Sequence, residues 1–359
     1  MKIINIETSQ TEYPLVIGSN IFHLLPRFID QAGIKKGNKI LIITDENVAP
    51  FYHDKVKDAL TEYHVFSFVV QAGESSKSLK TAEKIITYAI EQGFDRTSAV
   101  VALGGGVVGD LAGFVSVVYM RGIAFIQCPT TILAHDSSVG GKVAVNHPLG
   151  KNLIGAFYQP KLVFYDTSFL KTLPKREIKS GLAEVIKHGL IADSEFVNWL
   201  DNHADLLLSL DLEDVNYALF KGISIKGKIV KEDEKEQGIR AILNYGHTLG
   251  HAVEIISDFN ISHGEGVAIG MVYAVKLARK LGLVTKENEN NTVKLISKYQ
   301  LPVTIPDTFN SEKLMELMQR DKKFKNNQIR MILPVEIGKV IIEEDINPAI
   351  LKETIEQMK

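Results

Sequence analysis

An α/β domain built on a mostly parallel sheet, followed by an all-helical domain, is the fold class this sequence predicts. Apolar runs of strand length alternate with amphipathic helical stretches as far as about residue 165. A glycine cluster, Gly104-Gly105-Gly106, stands between one such run and an apolar helical stretch. From about Asp166 the strand pattern stops and amphipathic helices run almost to the end. Domains of 1–165 and 166–359 follow, and 359 residues suit two cores better than one.

Taken in order, residues 2–18 alternate as a β-hairpin, and Asn20–Gln31 reads as a short amphipathic helix. Lys39–Thr44 is an apolar strand of the kind buried on both faces. Asp45 and Asn47 at its carboxyl end suit a ribose or adenine, and Asp45 suits a helix N-cap equally. Helix 50–62, strand 64–70, a loop with Glu74 and Lys77, and helix 79–92 lead to strand 98–103. That strand enters the GGGVVGD turn and an apolar helix over 107–119. Bare N–H groups in such a turn can face a pyrophosphate at the helix N-terminus, as in Rossmann-like domains; a tight packing turn is the alternative. Strand 123–128, Pro129-Thr130-Thr131 and a short strand over 161–165 close the first domain. Helices follow near 175–192, 194–201, 211–231, 247–257, 265–281, 285–299 and 311–320, then a hairpin over 329–343 and a helix over 347–358. With no long linker between the domains, a small-molecule site is expected in a cleft where they meet.

Composition narrows the function. The chain is 45% hydrophobic and carries a formal charge of −2, so it offers no basic footprint for nucleic acid. No run of about 18 apolar residues suggests a membrane span, and the first residues lack the apolar core of a secretory signal. Cys128, the single cysteine, has no internal disulfide partner and lies in an apolar run, which fits a reducing cytoplasm and an inert core thiol.

Residues 136–152, DSSVGGKVAVNHPLGKN, read as a polar loop in which Lys142 and Lys151 suit a phosphate or carboxylate; a solvated surface loop is the plainer reading. The helical half supplies a possible metal set in Glu184, His247 and His263: one carboxylate and two imidazoles with a fourth position open is a catalytic zinc pattern. Each histidine taken alone suits a core or capping role. His251, one turn after His247, is a phosphate or proton contact in this reading, and Glu254, off that face, is expected to be solvated. Lys187 falls one turn after Glu184 and faces the same way, with Lys226, Arg240 and Asn244 nearby in the polar set. The run Lys231–Glu236 reads as a solvated turn.

These motifs, GGGVVGD, PTT, DSSVGGK, PLGKNLIGAFYQP, LAEVIKHG, LNYGHTLGHA and HGEGVAIGM, resemble in kind and order those of the 3-dehydroquinate synthase family over about residues 73–271. The glycerol and iron-dependent alcohol dehydrogenases share the glycine turn but not the double-lysine loop. The resemblance implies a dehydroquinate synthase-like fold, NAD⁺, Zn²⁺ or Co²⁺, and conversion of 3-deoxy-D-arabino-heptulosonate 7-phosphate to 3-dehydroquinate and phosphate in the shikimate pathway. It further implies that Glu184, His247 and His263 hold the metal. For the cofactor it implies Asp45, Asn47, Glu74, Lys77, Gly105, Gly106, Val107, Asp110, Thr130, Thr131, Lys142, Lys151, Phe169 and Thr172. For the substrate it implies Asp136, Lys142, Asn152, Lys187, Lys226, Arg240, Asn244 and His251, with a further lysine at Lys322 or Lys323. Arg121 resembles an arginine that reaches the neighbouring subunit's substrate, which implies a homodimer. The stretch between PTT and DSS is one residue shorter than in most members, so a tighter loop is expected there. The rival readings are a related sugar-phosphate cyclase, a metal-dependent polyol dehydrogenase and a nucleotide-binding regulatory protein.

Overall fold

The computed structural model describes residues 1–9, 11–320 and 329–359, so Lys322 and Lys323 lie outside the described residues. The chain begins with β1 (Lys2–Glu7) and β2 (Glu12–Gly18), paired antiparallel with Lys2 opposite Ile17. Then come α1 (Leu25–Gln31), β3 (Lys39–Asp45), α2 (Ala49–Ala59), β4 (His64–Val70), α3 (Leu79–Glu91), β5 (Ala99–Gly104), α4 (Gly106–Val118) and β6 (Ala124–Pro129). The short α5 (Ala134–Ser137) precedes β7 (Lys142–His147), β8 (Gly150–Phe157) and β9 (Leu162–Asp166).

Seven strands form one sheet in the order β1-β2-β9-β6-β5-β3-β4, and every neighbouring pair except β1 with β2 runs parallel. The apolar runs explain the burial. On β3 and β5, Ile40, Ile42, Val101 and Leu103 enter one core, while Leu41, Ile43, Val100 and Ala102 enter another. A strand that must satisfy two faces has no room for polar alternation, and the helical crossovers cover both faces.

The polar stretch 136–152 is not a plain loop. Most of it belongs to a β-hairpin in which Lys142 of β7 stands opposite Phe157 of β8, with a register shift between Val145 and His147. Alternation explains it: Val143 and Val145 are buried in the second core, and β-branched residues favour such a pleat.

After β9 the helices are α6 (Lys175–Ala192), α7 (Ser194–Asn202), α8 (Ala204–Leu208), α9 (Leu212–Glu232), α10 (His247–Ile256), α11 (His263–Lys280), α12 (Lys286–Lys298) and α13 (Ser311–Arg320). A hairpin of β10 (Met331–Glu336) and β11 (Lys339–Glu343) and helix α14 (Pro348–Glu356) complete the chain. Among the described residues, no helix is long and apolar enough to cross a membrane.

Two compact units result: residues 1–173 with 215–235, and residues 174–214 with 236–359. The first extends past residue 165 because Phe169 stacks on Tyr52, ring centroids 4.2 Å apart, and is buried with the sheet core. It also includes most of α9. Asn216 bonds Ser19 and Thr167, Lys2 lies 4.5 Å from the Phe220 ring, and Lys226 pairs with Asp136. The second unit is organised on α11, which is buried over most of its length and packs against α6, α10, α12 and α14.

Candidate active site

Two of the three expected metal ligands are the first residues of helices. Gly246, in the left-handed region at φ 81°, lets the chain turn into α10 at His247. Ser262 and Glu265 form a capping box at the start of α11, where His263 stands. From α6, Glu184 points between them. Its Oε1 lies 3.4 Å from His247 Nε2 and 3.3 Å from His263 Nε2. Two ligands held about 2.1 Å from a tetrahedral ion are about 3.4 Å apart, so both distances from Glu184 match a zinc-sized ion, and the three donor atoms lie within 4.8 Å of one another. One carboxylate and two imidazoles also supply the right ligand chemistry for zinc or cobalt.

The electrostatics divide the two imidazoles. Burial holds His247 well below its ordinary pKa, against the pull of Glu184, which leaves a neutral ring fit to ligate. At His263 burial acts the same way but is outweighed by hydrogen bonds to Glu184 and Glu254, which hold the ring up at about 10. The other carboxylate oxygen of Glu184 pairs with Lys187, and both side chains are 1% exposed. The His251 ring centroid is 5.3 Å from that of His247.

Glu254 is not solvated. It is 7% exposed, and its Oε1 lies 2.9 Å from His263 Nδ1. His247, His251 and Glu254 are spaced i, i+4, i+7, one stripe of one helix, and that spacing is the signal that identifies Glu254 in the sequence.

Arg240 is 1% exposed, and Asn244 donates to Glu236 Oε1 at 2.7 Å, so Lys231–Glu236 is more than a solvated turn. Within the first unit Glu234 of the same run accepts from Ser9 N at 3.0 Å and from Gln159 at 2.8 Å. Lys226, 6% exposed, bonds the Asp136 carboxylate at 3.0 Å and also its carbonyl.

The glycine turn has the expected strand–turn–helix setting. Gly105 is the N-cap of α4 and supplies no capping side chain, and the first-turn N–H groups of a helix lack intrahelical partners. A Cβ at Gly105 would stand 3.0 Å from Thr131 Cγ2, and one at Gly106 3.2 Å from Ser137 Oγ. Glycine at these positions makes room for the Thr131 and Ser137 side chains, as a packing turn would, while the first-turn N–H groups, with no side-chain cap, keep the capacity to bind an anion. Thr130 is buried and donates its N–H to Gly104 at 3.0 Å, while Thr131 Oγ1 accepts from Ala134 N at 3.2 Å and starts the turn into α5. Val107 is partly buried in the first turn of α4.

Beside this turn, Lys77 bonds both Asp110 and Asn152. Asn146 joins the group, donating to Glu74 Oε2 at 2.7 Å and accepting from Asn152 N at 3.0 Å. Asn146 is absent from the expected set, although it lies in the polar stretch itself. Asp45 Oδ1 accepts from the N–H groups of Asn47 and Val48 at 2.9 and 3.0 Å, an Asx turn leading into α2, whose own N-cap Val48 takes no side-chain bond, so Asp45 is not the helix cap. The Phe169 ring is core, while its carbonyl and Thr172 Oγ1 bond the Tyr52 hydroxyl at 2.7 and 2.8 Å. Lys142, Lys151 and Arg121 are exposed, with Arg121 in the left-handed region at φ 65°. Cys128 is buried, and burial pushes its thiol pKa up.

Comparison with known proteins gives a consistent result. Residues 67–180 match the family description "3-dehydroquinate synthase N-terminal", and residues 181–324 match "3-dehydroquinate synthase C-terminal". A 3-dehydroquinate synthase of Geobacillus thermodenitrificans is 49% identical over 94% of this chain and 93% of its own length. One from Shewanella pealeana is 44% identical over 99% of both chains. The crystal structure of 2-deoxy-scyllo-inosose synthase complexed with carbaglucose-6-phosphate, NAD⁺ and Co²⁺ superposes over 100% of both chains at TM-score 0.91 and 28% identity. The 2-epi-5-epi-valiolone synthase of Streptomyces hygroscopicus subsp. jinggangensis, with NAD⁺ and Zn²⁺ bound, shares the fold at TM-score 0.89 and 24% identity over 98% of both chains.

Proposed function

The chain belongs to the 3-dehydroquinate synthase family, and from that premise we propose that it converts 3-deoxy-D-arabino-heptulosonate 7-phosphate to 3-dehydroquinate and phosphate. The observation that carries the site assignment is Glu184 Oε1 at 3.4 and 3.3 Å from the Nε2 atoms of His247 and His263. An ion held there would supply Lewis acidity at a ring hydroxyl, and NAD⁺ a reversible hydride acceptor, for a sequence of oxidation, phosphate β-elimination, reduction, ring opening and intramolecular aldol closure.

The chain's own residues supply charge and position. Lys187 balances the Glu184 carboxylate, so the donor set carries less net negative charge toward an anionic substrate. Lys226 and Arg240, both buried, and the exposed Lys142 and Lys151 are cations for a carboxylate and a phosphate. Asn152, Asn244, His251 and Asp136 orient the ring hydroxyls in this reading. Gly105, Gly106 and Val107 receive the cofactor's pyrophosphate, with Asp45, Asn47, Glu74, Lys77, Asp110, Thr130, Thr131, Phe169 and Thr172 around the rest. The division of labour is a cofactor-binding first domain and a metal- and substrate-binding second domain.

The exposure of Arg121 supports a homodimer in which it reaches the neighbouring subunit's substrate phosphate. The lone buried Cys128 suits work in the cytoplasm.

Phosphate release from the heptulosonate phosphate with catalytic NAD⁺, measured with and without a chelator, tests the reading. A synthase releases one phosphate per product and accumulates no NADH. Net NADH formation would favour a polyol dehydrogenase, and inactivity on this substrate with activity on a hexose phosphate would favour a related cyclase.

A further inference from the structure

His263 stands between two carboxylates. Its Nε2 lies 3.3 Å from Glu184 Oε1, and its Nδ1 lies 2.9 Å from Glu254 Oε1. An imidazole has one productive orientation for a given ligand role, and the group bonded to the other nitrogen sets both its tautomer and its ring plane. The space for that second carboxylate is built into the backbone. α10 and α11 approach so closely at Gly250 and Gly266 that a Cβ on Gly266 would stand 2.9 Å from Gly250 O and 3.2 Å from Glu254 Cγ. Any larger residue at 266 would crowd the side chain that reaches His263. The Glu254 carboxyl is nearly buried, whereas the His263 side chain keeps 31% exposure, so the fixed partner of the pair is the glutamate.

We propose that Glu254 is a positioning residue: it accepts the Nδ1–H of His263 and holds the ring so that Nε2 faces Glu184. The assignment rests on the ion site proposed above. It differs from the other arrangement these side chains allow, in which Glu254 itself is a ligand, since donor atoms of His251, Glu254 and His263 also lie within 4.8 Å of one another. In the proposed arrangement Glu254 is needed for its hydrogen bond, not for a bond to the ion. Glutamine keeps the acceptor and is a poor ligand for a divalent ion, so E254Q separates the two.

The test is Co²⁺ affinity of the metal-stripped full-length protein, by competition with a chelator, with the visible ligand-field bands of bound Co²⁺ as a second readout. E254A is expected to weaken Co²⁺ binding about 10- to 100-fold and to shift those bands. E254Q is expected to stay within about threefold of the parent with unchanged bands. If E254Q falls as far as E254A, or if E254A binds as the parent does, the positioning role is overturned. H263A is the control for the underlying site: unchanged Co²⁺ affinity there removes the ion site itself, whereas a large loss in H263A with none in E254A removes the Glu254 assignment alone. Should E254A fail to fold, ¹⁵N histidine spectra of the zinc-loaded E254Q protein decide. A His263 Nδ1–H proton that keeps the parent's downfield shift, the mark of a hydrogen bond to the residue at 254, supports the proposal, and loss of that shift overturns it.

Discussion

Lys77 and Asp110 form an ion pair beside the glycine turn, with the lysine side chain 4% exposed and the aspartate 19%. Asn152 Oδ1 accepts a second hydrogen bond from the same ammonium at 2.5 Å. Burial pushes the Asp110 carboxyl up, and Lys77 pulls it back. Removing one partner of such a pair leaves the other charge stranded. Lys77→Ala is expected to destabilise the protein by about 3 kcal/mol, the lower end of the range because Asp110 keeps some solvent. With Lys77 gone, the folded pKa of Asp110 stands further above its unfolded value, so the deficit should be larger at about pH 7 than at about pH 4, near the unfolded carboxylate value. Urea unfolding at the two pH values measures it; equal deficits would place Asp110 in a more solvated setting.

His247→Ala should abolish turnover and lower bound zinc. Chelation of the parent protein should produce the same loss, restored by added Zn²⁺ or Co²⁺. Metal analysis beside the phosphate-release assay checks this, and full zinc content with full activity would remove His247 from the ligand set.

Glu265 gives a pH signature in the second unit. Burial alone would raise its pKa, but hydrogen bonds from Arg176 and from Ser262 N hold it below the ordinary glutamate value. A depressed carboxylate stabilises above its unfolded pKa, and that stability is lost as pH falls below about 4.5 and through the folded value. Glu265→Gln should cost about 1 kcal/mol at pH 7, the size of a capping interaction, and should flatten the decline of Tm on acidification. A decline as steep as the parent's would assign the acid sensitivity to other carboxylates.

Lys142→Ala is expected to lower kcat/KM by an equivalent of about 2 kcal/mol, near the low end for truncating one partner of a charge pair. Lys142 is exposed, so the accompanying change in stability should stay within about 1 kcal/mol. An unaltered kcat/KM would leave the lysine without a part in substrate binding.

The strands of the first unit are legible in the sequence because β3 and β5 are buried on both faces and so are written as unbroken apolar runs. The β7–β8 hairpin is not, because its lysines and asparagines outweigh the short Val143-Ala144-Val145 alternation that forms the strand. In the candidate site, Glu184, His247 and His263 are legible as ligand types but not as neighbours, since they come from three helices well separated in the chain. Glu254 was within reach of helical spacing alone. The return of α9 to the sheet unit was not, because it depends on partners such as Asn216 with Ser19 and Lys226 with Asp136, far apart along the chain.

That return bears on how the polypeptide is made. Residues 1–173 leave the ribosome before the segment 215–235 that completes their unit, so the sheet must wait for about forty further residues before its last helix arrives. An expression fragment cut at Leu173 would lack the partners of Ser19 and Asp136, and a duplicate of 215–235 supplied in trans is the piece that should restore it.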